Sequence, residues 1–122
     1  MSTFQKGSAL VLVALVALVA SVSAFGGSSA ASATTVTVTA GKPGEFNFTL
    51  SKRTIVRGVT TFKVTNRGTI KHDFKIAGKK TVALGVGKAA TLRVTLKKGK
   101  YAFLCTLPAH APAGMKGTLT VK

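Results

Sequence analysis

The stretch from Tyr101 to Gly117, YAFLCTLPAHAPAGMKG, decides how the chain is read. Its first half alternates: Tyr101, Phe103 and Cys105 fall on one side, Ala102 and Leu104 on the other. Side chains of an extended chain point alternately to opposite faces, so this is strand patterning, and apolar residues on both sides predict a deeply buried strand. The strand runs directly into a loop that carries a thiol, an imidazole and a thioether at the spacing C-x4-H-x4-M, namely Cys105, His110 and Met115. Pro108 and Pro112 bracket His110 and restrict the loop's backbone.

The same period of two extends outward through the chain. Val36 and Val38 alternate with Thr35, Thr37 and Thr39; Phe46, Phe48 and Leu50 with Glu45, Asn47 and Thr49; Phe62 and Val64 with Thr61, Lys63 and Thr65. His72, Phe74 and Ile76 share one parity against Lys71, Asp73 and Lys75, and Leu92, Val94 and Leu96 alternate with Thr91, Arg93 and Thr95. Leu119 and Val121 close the chain between Thr118, Thr120 and Lys122. Turn signals such as Gly41-Lys42-Pro43-Gly44, Asn66-Arg67-Gly68 and Lys98-Gly99 separate the runs. No sustained helical period follows residue 34. Seven or eight short strands at this spacing predict an all-β, antiparallel β-sandwich, with any functional site on loops gathered at one end.

Upstream, Ala9 to Ala20 is an unbroken apolar run behind Lys6, followed by Val22-Ser23-Ala24 and Ala31-Ser32-Ala33, both of which resemble signal-peptidase sites. The run falls short of the roughly 20 residues that span a bilayer. The expected organisation is a signal peptide over 1–24, with cleavage as late as Ala33 or an uncleaved anchor as alternatives, a flexible linker over 25–34, and one functional domain over 35–122. That domain is expected outside the cytoplasm: periplasmic, extracellular or at the outer face of a membrane.

The 122-residue chain carries 18 Lys and Arg against 2 acidic residues, Glu45 and Asp73, for a net charge of +16. Such a field draws a protein toward anionic surfaces. An acidic partner protein, an anionic membrane or a cell-wall polymer fits an exported chain. Nucleic acid does not, since no aromatic RNA-binding signature or recognition helix is present. Small domains lean on disulfides or metals for stability. Cys105 is the single cysteine, which excludes an internal disulfide and leaves a metal.

The donor inventory names the metal. Without Met1, the chain has one Cys, two His and one Met. Thiolate and thioether are soft ligands, and two His with one Cys in a trigonal set under a weak axial Met is the blue-copper arrangement. His72, the second His, is on an inward parity beside Phe74 and Ile76.

These residues resemble the cupredoxins, the type 1 blue copper proteins, and within them the rusticyanin/auracyanin-like subset with a C-x4-H-x4-M loop. The likeness covers Thr35 to Lys122. It is strongest over Asn66 to Phe74, read as N-x-G-x-x-x-H-D-F, and over Tyr101 to Gly117. It implies a Greek-key sandwich holding one type 1 copper ion, with His72, Cys105 and His110 as equatorial ligands and Met115 as the axial one. It also implies electron exit through an exposed His110 edge. Many cupredoxins have Asn after the first ligand His, and here Asp73 stands in its place. Asp73 is expected to accept a hydrogen bond from a backbone N–H near Thr106 and, by its charge, to lower the reduction potential.

The expected function is therefore one-electron transport by a monomer, passing electrons to an acidic redox partner such as a cytochrome or oxidase. Two rivals predict different behaviour: a copper carrier or storage protein on the same fold, and a metal-free basic sandwich that binds surfaces. No enzyme is expected, because copper oxidases and nitrite reductases need further copper centres and the chain has no spare His to build them.

Overall fold

The computed structural model describes residues 33–122. The signal segment and nearly all of the linker expected from the sequence lie outside the described residues. Nine strands form: β1 (Thr34–Ala40), β2 (Phe48–Leu50), β3 (Thr54–Ile55), β4 (Gly58–Asn66), β5 (Lys75–Ile76), β6 (Lys79–Lys80), β7 (Ala89–Leu96), β8 (Gly99–Leu104) and β9 (Lys116–Val121). Val and Thr dominate β1 and β4, residue types whose branched side chains pack well on a pleated surface. No helix is present among the described residues, and none there could cross a membrane.

The strands make two sheets, ordered β2-β1-β4-β7 and β3-β9-β8-β5-β6. The sandwich class expected from the sequence stands, but the pairing is mixed rather than wholly antiparallel. β1 runs parallel to β4 over Thr34↔Thr60 to Ala40↔Asn66, and β3 runs parallel to β9. Alternation reports only which face is buried, and a half-buried strand alternates alike in either direction. The nine strands exceed the expected seven or eight because β3, β5 and β6 are only two residues long. The run His72-Phe74-Ile76 is strand only at its end, and His72 joins the structure through a bridge to Leu84.

Between the sheets lies one core. Phe48 and Phe62 come from the first sheet, Phe103 from the second, and Phe74 sits among them. Phe74 stands 5.3 Å from both Phe48 and Phe62, and 5.6 Å from Phe103, centroid to centroid. β8 buries one face only: Phe103 and the following Cys105 are inside, whereas Ala102 is exposed and Leu104 half-buried. The expectation of burial on both faces fails because no third layer covers the outer side of this sheet.

The strands define two poles. At one, Ala40, Asn66, Ala89 and Leu104 end or begin their strands, next to the loops that carry His72 and His110. At the other are Thr34, Gly58, Leu96, Gly99 and Val121. β1 thus starts at the pole remote from the histidines.

Candidate metal centre

Three segments build the site. The first, Asn66 to Phe74, leaves β4 and returns into the core. Asn66 is fully buried; its amide donates to the carbonyls of Ile70 and Leu84 at 2.8 Å each, and its Oδ1 accepts from Gly68 N at 2.9 Å. Backbone bonds between His72 and Leu84 at 3.2 and 2.7 Å fix the same stretch. His72 is therefore held in a braced, fully buried position.

The second segment is the Cys105 to Met115 loop. Cys105 N donates to Met115 O at 3.1 Å, so the loop closes on itself where it leaves and re-enters the sheet. Inside it, Met115 N donates to His110 O and His110 N to Leu107 O, both at 3.1 Å. Ala109 adopts φ 70, a left-handed conformation that non-glycine residues seldom take and that persists only where surroundings enforce it. This bend immediately precedes His110. Cys105 and Met115 are buried and His110 is half-buried.

The donor atoms converge. His72 Nδ1 lies 3.2 Å from His110 Nδ1, and Cys105 Sγ lies 3.4 Å from His110 Nδ1. One nitrogen from each imidazole and the sulfur all fall within 4.8 Å of one another. Burial pushes the Cys105 thiol up from its ordinary range, opposed in part by the N–H groups of Asp73 and Leu107; the Asp73 N–H donates to Sγ at 3.4 Å. Burial likewise holds His110 below the usual imidazole value, with His72 beside it adding to the effect. A neutral imidazole keeps a lone pair for a metal.

The donor set fits copper. One thiolate, one imidazole and a buried thioether on a single loop, with a second imidazole from His72, match the soft and borderline preferences of Cu(I) and Cu(II). They exclude hard cations, which take oxygen ligands. A ligating thiol must lose its proton, so the raised Cys105 value means that metal competes with protons for this site.

Around the donors, the two acidic residues of the chain are both engaged. Asp73, only 2% exposed, accepts from Thr106 N at 2.6 Å and also from the Thr106 hydroxyl. It therefore ties the His72 segment to the start of the Cys105 loop, through the residue the sequence pointed to.

Glu45, on the third segment, was not singled out by sequence. Its Oε1 lies 2.6 Å from His72 Nε2. Its two oxygens accept from Thr69 N at 3.0 and 2.9 Å, from the Thr69 hydroxyl at 2.8 Å and from Ile70 N at 3.3 Å. The Thr69 N–H and hydroxyl, then His72, hold the Glu45 carboxyl down to about 2. The adjacent Phe46 ring meets the His110 ring edge-on at 5.1 Å. The only sequence signal for this segment is that Glu45 is one of two acids in a basic chain.

The model for copper-binding proteins of the plastocyanin/azurin family matches residues 28–122. Comparison with curated protein sequences returns no match. Among solved structures, a dithionite-reduced auracyanin from Roseiflexus castenholzii is 28% identical, with a TM-score of 0.64 over 75% of this chain and 98% of its own. Auracyanin A from Chloroflexus aurantiacus, a "blue" copper protein, is 18% identical with a TM-score of 0.65 over 75% of this chain and 100% of its own. Rusticyanin from Thiobacillus ferrooxidans is 24% identical with a TM-score of 0.62 over 73% and 77%. The last two likenesses are of fold.

Proposed function

The chain belongs to the plastocyanin/azurin family of copper-binding proteins, and from that premise we propose that it is an exported blue copper protein that carries one electron at a time. The observation that carries this is the convergence of one nitrogen each from His72 and His110 with Cys105 Sγ within 4.8 Å, on loops braced by Asn66 and Asp73. In this proposal His72, Cys105, His110 and Met115 would hold the copper ion. Copper bound there would supply one-electron redox chemistry between Cu(II) and Cu(I).

What the protein contributes is a fixed frame. An electron carrier works fastest when its ligands need not move between oxidation states. The hydrogen bonds that close the Cys105–Met115 loop, the buried Asn66 brace and the Asp73–Thr106 tie supply that rigidity. Half-buried His110 is the ligand nearest solvent, among exposed Pro108, Ala109, Pro112 and Ala113. Its ring edge is the electron's exit in this proposal. A small apolar patch of this kind suits brief redox encounters.

The partner proposed is an acidic redox protein, met by a monomer whose strongly positive field steers the encounter. The opposite pole presents exposed Arg57, Lys97, Lys98, Lys100 and Lys122, and suits an anionic lipid or cell-wall surface. Residues 1–24 are proposed as the export signal and 25–34 as a tether.

The test is spectroscopic. Cu(II) added to the purified protein is expected to give an intense visible thiolate-to-copper band that is absent in Cys105→Ser. Reversible one-electron reduction with copper retained separates a carrier of electrons from a carrier of copper. A colourless protein that takes zinc equally well would overturn the proposal.

A further inference from the structure

We propose that Glu45 is a positioning residue for the metal: its carboxylate orients His72 for ligation and biases the site toward the oxidised state. The inference rests on the copper reading above. It goes beyond the ligand set, because Glu45 lies outside both segments that carry the ligands.

Four observations carry it. First, His72 is fully buried and its two ring nitrogens face different partners: Nε2 meets Glu45 Oε1 at 2.6 Å, while Nδ1 faces His110 Nδ1 at 3.2 Å. A carboxylate is an acceptor only, so Nε2 carries the hydrogen, and in the neutral ring the lone pair is then on Nδ1, turned toward the other donors. Second, the carboxylate is itself immobilised by Thr69 and Ile70 rather than free to swing away. Third, room for the pair depends on Gly68. A Cβ there would collide with Glu45 Oε1 and lie 2.9 Å from His72 Nε2, so a side chain at 68 would disturb the pair. Fourth, in a chain with only 2 acidic residues against 18 basic ones, a carboxylate set against a buried imidazole is costly to explain as chance surface charge.

The chemistry follows from general behaviour. A carboxylate that accepts from a ligating imidazole fixes its tautomer and raises its basicity, and loss of such a partner commonly costs 10–100-fold in metal affinity. Negative charge near the metal favours Cu(II) over Cu(I). The competing explanation is that Glu45 only staples the loop at Thr69, in which case it should affect folding and nothing else.

The full-length protein, wild type and variants, separates these. In Glu45→Gln the side-chain carbonyl can still accept from His72 while the charge is gone. The expected result is a copper protein with His72 still protonated on Nε2, and a ratio of Cu(II) to Cu(I) affinity lower by about tenfold. Voltammetry would read this as a rise of about 59 mV. In Glu45→Ala the acceptor is lost as well, and Cu(II) affinity is expected to fall 10–100-fold. Nitrogen NMR of the metal-free wild type is expected to show the Nε2–H tautomer of His72 and, in Glu45→Ala, a mixture. If Glu45→Gln leaves the potential unchanged while lowering the unfolding temperature, the staple explanation holds and the proposal falls. A wild type with the Nε2–H tautomer but no copper band would sink the copper reading instead, so the two failures are distinguishable.

Discussion

Asp73 and Glu45 each grip a neighbouring loop, yet they act on the metal centre from different sides. Asp73 accepts from Thr106, next to the thiol, and its own N–H donates to Cys105 Sγ. Replacing it by Asn keeps an acceptor for Thr106 N while removing a charge. Asp73→Asn is expected to retain the copper spectrum and raise the potential by tens of millivolts, on the order of 1 kcal/mol of charge interaction. Voltammetry of the variant checks this, and a fall in potential would refute it. Glu45 makes a prediction about acid stability. Its carboxyl is lowered from 4.5 to about 2 in the folded protein, so its contribution is complete above pH 4.5 and is lost as pH falls through 2. The unfolding temperature of the metal-free protein should drop over that window in the wild type and drop less in Glu45→Gln. At this scale the sequence was partly legible. Cys105, His110 and Met115 share one loop, so spacing alone exposes them. Glu45 meets His72 only because a turn at one pole folds back on another, and no local pattern encodes a contact across 27 positions.

Phe74 and Thr60 are buried core residues with opposite effects on the fold. Phe74 follows His72 and Asp73 directly, and its ring packs against Phe48, Phe62 and Phe103. The core thus anchors the segment that carries a ligand. Phe74→Ala is expected to cost about 3–5 kcal/mol in a denaturant titration. It should also weaken copper binding, although Phe74 is itself no ligand. Thr60 behaves oppositely. It is fully buried on β4 and its hydroxyl has no hydrogen-bond partner. Thr60→Val removes that polar atom at nearly constant shape, and should stabilise the protein by about 1 kcal/mol without altering the spectrum. Alternation placed Phe62, Val64, Val94 and Leu119 on buried faces, as the structure has them. Strand direction was not legible, because parallel β1 and β4 bury one face just as an antiparallel pair would. Ala102 and Leu104 misled for a related reason: small or partly exposed apolar residues occur on open sheet faces, and only the missing layer above them reveals it.

As a whole, the molecule carries both of its acids at the pole of the metal centre and an unrelieved group of cations, Arg57, Lys97, Lys98, Lys100 and Lys122, at the other. The overall positive charge should still govern encounters. Stopped-flow association with an acidic redox protein is expected to slow several-fold between about 10 mM and 150 mM salt, as the screening length shrinks from roughly 30 to 8 Å. A rate indifferent to salt would remove electrostatic steering from the account. The direction of β1 adds a practical corollary. Because the strand starts at the far pole, a protein fastened at Thr34 is gripped by the handle, with the His110 edge as the free tip. Mounted that way on an electrode, it should exchange electrons poorly with the support beneath it and readily with proteins in the solution above.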